Sequence, residues 1–173
     1  YGTSNSSPVE VSSSSKASEI GDEPLLIVQK ARCPLVVCRN RVKAGRFLLE
    51  KHTEVDIIVS DDGMQHYALE RDVEIMLFDG RGGGNRWMLP AGPLREPLSR
   101  KGDFTIVNGR NYPSPGNPIY VPDLYRMQLK TEMAEQLKNR NRTARLKDLG
   151  GRIVAAAGIG NPARFFASLR ACG

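Results

Sequence analysis

The sequence contains few cysteines and few histidines. Its three cysteines, Cys33, Cys38 and Cys172, are odd in number and form no C-x-x-C pair. The only two histidines, His52 and His66, are not placed beside them to complete a zinc site. These absences argue against a disulfide framework and a structural zinc site, and they predict a reduced, cytosolic compartment.

Long apolar runs are also missing. No stretch approaches the roughly 18 to 20 apolar residues that a helix needs to cross a bilayer, so the sequence predicts no transmembrane helix. The chain has 173 residues and is 40% hydrophobic. That length can bury one sizeable core, with part of a second domain attached.

Positive charge is concentrated in the last third of the chain. Residues 1–125 carry 15 basic against 16 acidic residues, a balance of −1, whereas residues 126–173 carry 10 against 3, a balance of +7. The densest segment, Lys138–Lys147, has no aromatic residue on which a base could stack, which disfavours single-stranded nucleic acid. An anionic membrane surface or an acidic lipid fits better, and the alternative is a solvated helical face or loop.

Helix and strand signals alternate in the first hundred residues. Helices are predicted from Glu23 to about Cys33, with Pro24 in the first turn, and over Arg41–Lys51. Short apolar runs predict strands, one of them leading directly into the pair Asp61 and Asp62: Leu35–Cys38, Val55–Val59, Val73–Asp79 and Phe104–Asn108. This alternation indicates an α/β fold with a parallel sheet and crossover helices.

The two ends of the chain give weaker signals. The serine-rich first 20 residues predict a loop with one extended piece at Val9–Val11. In the last third, the sequence predicts an extended piece or hairpin at Tyr120–Leu129 and a helix in the basic segment Thr131–Lys147. It then predicts a strand at Arg152–Ala156 and a helix at Ala163–Leu169. Asn161 is the expected N-cap of that helix, with Pro162 at its first position.

A segment rich in Pro, Gly and Asn, Asn111–Pro118, predicts a domain boundary. We therefore divide the sequence into a core portion over residues 1–112, a linker or hairpin with the basic segment over residues 113–150, and the beginning of a second, smaller βα domain over residues 151–173.

Asp61 and Asp62 are the strongest candidates for chemistry. Parallel α/β sheets bind ligands where their strands end, so a carboxylate pair there could hold Mg²⁺ beside a nucleotide phosphate, as the Walker B element of a phosphoryl-transfer enzyme does. The alternative is an ordinary turn, in which Asp and Gly are common.

Two other segments could also carry catalytic groups. The prolines and glycine of Leu89–Arg100 predict a stiff loop that presents Arg95 and Glu96. Asp22 and Glu23 open a predicted helix, where they either cap it or accept a proton from a substrate hydroxyl.

The glycine clusters match no standard nucleotide-binding motif. Gly80–Asn85 (GRGGGN) lacks the Lys-Ser/Thr of a Walker A loop. Gly158-Ile159-Gly160 precedes a helix but has alanine at position 163 and no acidic residue about 20 positions further on, which disfavours NAD binding. A helix N-terminus there could still meet an anion.

Five motifs in consistent order resemble those of the tetraacyldisaccharide 4'-kinases, the lipid A 4'-kinase family: GDEP (21–24), SDDGMQH (60–66), ERD (70–72), LPAGPLREP (89–97) and AGIGNPARFF (157–166). The resemblance implies a P-loop NTPase-like core followed by a smaller C-terminal domain. It also implies ATP- and Mg²⁺-dependent phosphorylation of the 4'-hydroxyl of a tetraacylated glucosamine disaccharide 1-phosphate. The expected location is the cytoplasmic face of the bacterial inner membrane, with no nucleic-acid partner.

The resemblance also assigns roles to individual residues. Asp22 matches the proposed catalytic base and Glu23 its acidic neighbour, while Asp61 and Asp62 match the Walker B pair around Mg²⁺. The motif is completed by Gln65 and His66 on the nucleotide side, and the active-site loop is matched by Arg95 and Glu96.

The sequence departs from the family pattern in two places. No G-x-x-x-x-G-K-[ST] loop occurs in it, and no histidine follows the GIGNP segment. We therefore expect these 173 residues alone neither to bind ATP tightly nor to turn over substrate. The alternatives are another P-loop phosphotransferase, a non-catalytic basic module that binds anionic lipid, and a fragment that folds only in part.

Overall fold

The structure, a computed structural model, describes residues 6–109, 124–129, 132–159 and 162–172. The chain divides into two compact units, Tyr1–Glu74 and Ile75–Gly173. The predicted domain boundaries after residues 112 and 150 remain predictions.

The first unit packs short strands against helices. Its elements in chain order are β1 (Val9–Glu10), α1 (Ala17–Ile20), α2 (Asp22–Ala31), β2 (Val36–Val37) and α3 (Arg41–Lys51), followed by a 3₁₀ turn at Gly63–Gln65. β1 and β2 pair in antiparallel orientation, with Val9 opposite Val37. The predicted helix at Arg41–Lys51 is confirmed at both ends, since Asn40 caps it by accepting from the Lys43 amide at 3.0 Å.

The serine-rich N-terminal segment is more ordered than predicted. Val11 and Ile20 are 5% and 2% exposed and form the core of the first unit together with Val37. The Val11 amide donates to the Leu35 carbonyl at 2.8 Å. The predicted extended piece is confirmed by β1, and residues 6–8 and 11–16 form the predicted loop. The short helix α1 was not predicted, because burial of a few apolar residues can fix a polar segment.

The predicted strand at Val55–Val59 does not form. Residues 55–60 carry no strand assignment, and Ile57 and Val59 are 76% and 88% exposed. An apolar run becomes a strand only when a neighbouring strand satisfies its backbone groups. In the described residues no strand pairs with this segment, so Asp61 and Asp62 follow a segment without regular secondary structure and not a sheet strand.

The second unit contains a parallel sheet. β3 (Ile75–Asp79), β4 (Phe104–Asn108) and β5 (Leu124–Met127) lie in that order, with Ile75 opposite Phe104 and Thr105 opposite Leu124. Val107 in the central strand is fully buried. The predicted bounds of β4 are confirmed, as is the α/β class, and the sheet is consistent with part of a P-loop NTPase-like core.

The C-terminal elements differ from the prediction. The basic segment forms an antiparallel hairpin of β6 (Met133–Gln136) and β7 (Asn139–Arg145), closed by a 3₁₀ turn at Leu146–Asp148. The predicted helix over 131–147 is therefore wrong, since Asn and Thr are poor helix formers and β7 contains three of them between positions 139 and 143.

The last predicted strand, Arg152–Ala156, is also absent, and Val154 is 87% exposed. The last helix, α4 (Pro162–Arg170), is confirmed, with Pro162 at its first position. The predicted N-cap Asn161 and the predicted boundary Asn111–Pro118 lie outside the described residues. Among the helices of the described ranges, none has both the length and the apolar composition of a membrane-spanning segment.

Val107→Ala should destabilise the second unit by about 2 kcal/mol, because it removes two methyl groups from a fully buried site and leaves a cavity. The check is the free energy of unfolding from chemical denaturation. Val154→Ala, the same change at a site that is 87% exposed, serves as the control. Equal effects of the two substitutions would contradict the described packing.

An ionic cluster joins β1 to the end of α3. Glu10 bonds Lys51 Nζ through Oε2 and His52 Nε2 through Oε1, both at 2.8 Å. These bonds lower the pKa of Glu10, with the Lys51 contact as the largest cause, and the hydrogen bond that His52 makes to Glu10 raises the pKa of His52. Both charges are therefore held more firmly in the folded chain than in the unfolded one.

The stability of the first unit should depend on pH through this cluster. The raised pKa of His52 stabilises the fold fully below its ordinary value of 6.5, and this contribution is lost as pH rises through the raised value. The lowered pKa of Glu10 stabilises the fold above 4.5, and this contribution is lost as pH falls through the lowered value. Melting temperatures should therefore be highest between these two ordinary pKa values.

Glu10→Gln should flatten both slopes of the melting temperature against pH. Glu50→Gln, the same change at an exposed glutamate of α3, should leave the profile unchanged. A wild-type profile that rises steadily through pH 8 would show that this cluster does not control the pH dependence.

Candidate active site

Asp61 and Asp62 lie in a tightly held turn of the first unit. Asp62 adopts the left-handed conformation, with φ 50°, and leads into the 3₁₀ turn at Gly63–Gln65. The turn closes with a 3.0 Å bond from the His66 amide to the Gly63 carbonyl, which also accepts from Arg71 Nη1 at 2.8 Å. Hydrogen bonds thus fix the backbone that follows these two residues, and both carboxylates lie at the surface.

Because Gly63 has no side chain, the turn can pack closely against Ser60, which precedes it. A Cβ atom at Gly63 would lie 2.9 Å from Ser60 Oγ. That hydroxyl oxygen is buried, and no partner for it occurs in the described part of the chain. A polar atom without a partner beside two carboxylates is suited to a bound water or a ligand oxygen.

The two carboxylates of this turn can supply part of the coordination shell of Mg²⁺. Mg²⁺ usually takes one or two protein carboxylates and completes its shell with phosphate oxygens and waters. Within the described residues no group of three or more metal-ligating side chains is assembled. The pair Asp61 and Asp62 supplies two carboxylates of the type that Mg²⁺ takes beside phosphate oxygens.

His66 lines a cavity in the same unit. The cavity has a volume of about 450 Å³, and its wall is formed by Ser6, Arg39, Asn40, Arg41, Val42, His66, Tyr67, Ala68 and Leu69. Among the lining residues that the structure describes, two are arginines and none is acidic. The N-terminus of α3 also lies at its wall and adds the positive end of a helix dipole. The predicted site residue His66 is thus brought beside groups that can bind an anion.

Sequence reasoning missed the arginines of this cavity. Arg41 is held by a 3.0 Å bond from Nη1 to the Cys38 carbonyl, whereas Arg39 is exposed. The available signal was the order of a short strand, Arg-Asn-Arg and a helix, with Asn40 as the N-cap. This order places two guanidinium groups at a helix N-terminus, where anions bind.

Asp22 and Glu23 are exposed at the first two positions of α2. They follow Gly21, whose φ of 93° turns the chain sharply into the helix. Carboxylates in a first helical turn are stabilised by the helix dipole, so this placement is compatible with a capping role and with a catalytic role. Their assignment as the catalytic base and its neighbour stays a prediction.

Arg95 and Glu96 belong to the second unit. They directly follow Leu94, which is 7% exposed and anchors the preceding loop. Arg95 is exposed and Glu96 is partly buried. The prediction of a constrained loop agrees with the close packing at Gly84, where a Cβ atom would lie 2.6 Å from Pro93 Cγ. Their catalytic role stays a prediction.

Polar residues gather at the carboxyl edge of the parallel sheet. Asp79 ends β3 and receives Arg81 Nε at 2.8 Å, and hydrogen bonds from Arg81 hold the pKa of Asp79 below its usual range. Asn108 ends β4 and accepts from Arg164 Nη2 of α4 at 2.6 Å. Open α/β sheets bind ligands at this edge, and sequence reasoning had not singled out these four residues.

Comparison with known proteins identifies the family. The family model for tetraacyldisaccharide-1-P 4'-kinase matches residues 1–173. This chain belongs to that family. The resemblance inferred from the five motifs is thus confirmed, and the family is one of enzymes that phosphorylate a hydroxyl group.

The curated relatives of this kinase family are considerably longer than the chain. The tetraacyldisaccharide 4'-kinase of Janthinobacterium sp. (strain Marseille) is 53% identical over 180 residues, which cover the whole chain and 51% of that protein. Those of Herminiimonas arsenicoxydans and Dechloromonas aromatica (strain RCB) are 51% and 45% identical, again over the whole chain and over 51% and 52% of their own lengths. The chain spans about half the length of these relatives. No solved structure gives a significant match.

Arg41→Gln should weaken the binding of inorganic pyrophosphate by roughly tenfold, because it removes a charge-assisted hydrogen bond from the cavity. The measurement is an NMR titration that follows the backbone amides of residues 39–42 and 66–69. Arg46→Gln, at an exposed arginine of the same helix, is the matched control and should change the affinity little. Equal losses for both variants would indicate only a general charge effect.

Proposed function

We propose that this chain is part of an enzyme that transfers the γ-phosphoryl group of ATP to the 4'-hydroxyl of tetraacyldisaccharide 1-phosphate in lipid A biosynthesis. The observation that carries the proposal is the family match over all 173 residues. It is supported by relatives named for this activity, which the chain matches at up to 53% identity.

The Asp61–Asp62 turn is the proposed Mg²⁺ site. The two carboxylates would hold the ion together with phosphate oxygens, and the ion would supply neutralisation of the charge on the phosphates. The fixed backbone of the turn supports this role, since a metal site requires carboxylates that do not have to be reordered on binding.

Gln65 and His66 are the proposed nucleotide-side residues of the same motif. His66 lines the cavity that also contains Arg39 and Arg41. Guanidinium groups bind phosphate oxygens in pairs of charge-assisted hydrogen bonds. A phosphate of either ATP or the lipid substrate is therefore the ligand that we propose for this cavity.

Asp22 is the proposed general base. Its exposure at the start of α2 leaves the carboxylate accessible to a substrate hydroxyl, from which it would accept the proton. Glu23 would contribute a second negative charge beside it. Arg95 would offset charge on the transferred phosphoryl group, with Glu96 as its neighbour in the active-site loop.

The proposed location is the cytoplasmic face of the bacterial inner membrane. The balance of +7 over residues 126–173 supports it, because basic segments are attracted to anionic lipid surfaces. The exposed basic residues of the β6–β7 hairpin also keep open the alternative of a basic module that binds anionic lipid without catalysis. No nucleic-acid partner is proposed, and the inactivity of residues 1–173 alone stays a prediction.

Asp61→Asn should lower kcat for phosphorylation of tetraacyldisaccharide 1-phosphate by at least about a hundredfold, because it removes a charged metal ligand. Asp22→Asn should lower kcat by about 10²- to 10⁴-fold with little change in KM, since it removes only proton acceptance. The measurement is transfer of radiolabelled phosphate from ATP in detergent micelles, with the protein at its full natural length.

Asp56→Asn, an exposed aspartate of the segment before the turn, is the matched control and should stay near wild-type activity. Three outcomes would count against the proposal. Phosphorylation of an acyl-free disaccharide at the same rate would favour a different phosphotransferase, and salt-dependent lipid binding without any phosphate transfer would favour the basic module. Equal losses for Asp56→Asn and Asp61→Asn would remove the special role of the turn.

A further inference from the structure

Three consecutive large apolar side chains are exposed on one loop of the second unit. Trp87, Met88 and Leu89 are 67%, 47% and 62% exposed, and they lie within residues 84–94, which we call the Trp87 loop. Contiguous exposed apolar groups on a protein surface mark interaction sites more often than isolated ones do. Neither the metal site nor the anion cavity uses these side chains.

Hydrogen bonds fix the backbone that carries them. The Leu89 amide donates to the Leu94 carbonyl at 2.8 Å, and the Leu94 amide donates to the Trp87 carbonyl at 3.2 Å. The Gly92 amide donates to the Met88 carbonyl at 3.0 Å. The loop is therefore a closed turn anchored by the buried Leu94.

Asn85 and Gly92 tighten this turn further. The Asn85 side chain accepts from the Trp87 amide at 3.1 Å and donates to the Ala91 carbonyl at 2.9 Å. A Cβ atom at Gly92 would collide with Asn85 Oδ1 and the Trp87 carbonyl oxygen. The backbone entropy of the loop has thus been lost before any ligand binds, which is the condition for a preorganised contact surface.

Several other exposed apolar residues lack this framework, whereas Ile75, Leu77, Phe104 and Tyr125 are exposed on the paired strands of the parallel sheet. Ile57, Val59 and Val154 are strongly exposed, but they lie in segments without strand pairing. Leu137 is 94% exposed as a single apolar residue at the turn of the β6–β7 hairpin. Only the Trp87 loop, among the described segments, presents several such side chains from a closed turn.

The charge carried by the loop itself is complementary to an anionic surface. Residues 79–96 contain three arginines and two acidic residues, Asp79 and Glu96, and within residues 84–94 the only charged residue is Arg86. Arg81 is paired with Asp79, but Arg86 is exposed and directly precedes Trp87. Tryptophan beside arginine is a combination favoured at membrane–water interfaces, where the ring meets the headgroup level and the guanidinium meets lipid phosphates.

We propose that the Trp87 loop inserts into the headgroup region of an anionic lipid bilayer. The proposal deepens the membrane location given under the proposed function and names the segment that makes the contact. It requires no kinase reaction, so vesicle binding and phosphate transfer test the two proposals separately.

Trp87 is the single tryptophan of the chain and therefore reports on its own environment. The protein at its full natural length is mixed with vesicles of phosphatidylglycerol and phosphatidylcholine, and the difference between wild-type and Trp87→Phe emission isolates this side chain. We expect a blue shift with the anionic vesicles and quenching by lipids brominated near the headgroup end of their acyl chains.

Partitioning into the same vesicles is measured for variants by sedimentation. Trp87→Ser should weaken it by roughly tenfold, since it removes the largest apolar contact, and Arg86→Gln should reduce its dependence on salt. Ile57→Ser, at an apolar residue that is 76% exposed and lies outside both the loop and the basic last third of the chain, is the control and should change partitioning little. Met88→Ser provides a second loop variant should Trp87→Ser unfold the protein, as judged by thermal melting.

Four results would overturn the proposal. One is an unchanged Trp87 emission with anionic vesicles, and another is an emission already typical of a buried ring without vesicles, which would mean that protein covers the loop. Equal binding to vesicles of phosphatidylcholine alone would exclude the role of charge. Equal losses for Ile57→Ser and the loop variants would exclude the role of the loop. Wild-type protein that binds vesicles but transfers no phosphate in micelles would contradict only the proposed function.

Discussion

β4 lies between β3 and β5 and pairs with both in parallel, and this two-sided pairing is the constraint on which the second unit depends. The Val107 side chain of this central strand is completely removed from solvent. The pairing also aligns the ends of neighbouring strands, so that Asp79 and Asn108 come to the same edge, opposite one another in the register. The long loop after β3 starts from this edge. The positions of the polar edge residues therefore follow from one set of backbone hydrogen bonds.

The first unit is stabilised in a different way. Its sheet has two residue pairs between β1 and β2, which are too few to fix the chain, so helices and local turns hold it in place. The Gly63 carbonyl receives both the His66 amide and the Arg71 guanidinium, and this single oxygen holds the turn that presents Asp61 and Asp62. Rigidity at the candidate metal site thus arises from local bonds and not from a strand end.

Predictions from sequence were most accurate where the local signal and the packing agree. The helix Arg41–Lys51 and the strand Phe104–Asn108 were predicted to the residue, since the helix has a strong N-cap in Asn40 and the strand is an apolar run with neighbours on both sides. The run Val55–Val59 has equal apolar character but no pairing strand in the described residues. The basic segment was predicted as a helix because its charges suggested a solvated face, although its Asn and Thr residues favour the hairpin that forms.

The candidate site was likewise predictable from the sequence only in part. The carboxylates Asp61 and Asp62 and the family were accessible from motif order alone, because the chemistry of a residue type and its neighbours is written in the chain. The association of His66 with Arg39 and Arg41 was not accessible, since more than 20 positions separate them and only packing brings them to one cavity. The sequence by itself determined the residue types, both ends of the helix Arg41–Lys51 and the family. Tertiary structure alone decided which apolar runs became strands and which charges became neighbours, because both depend on partners that are distant along the chain.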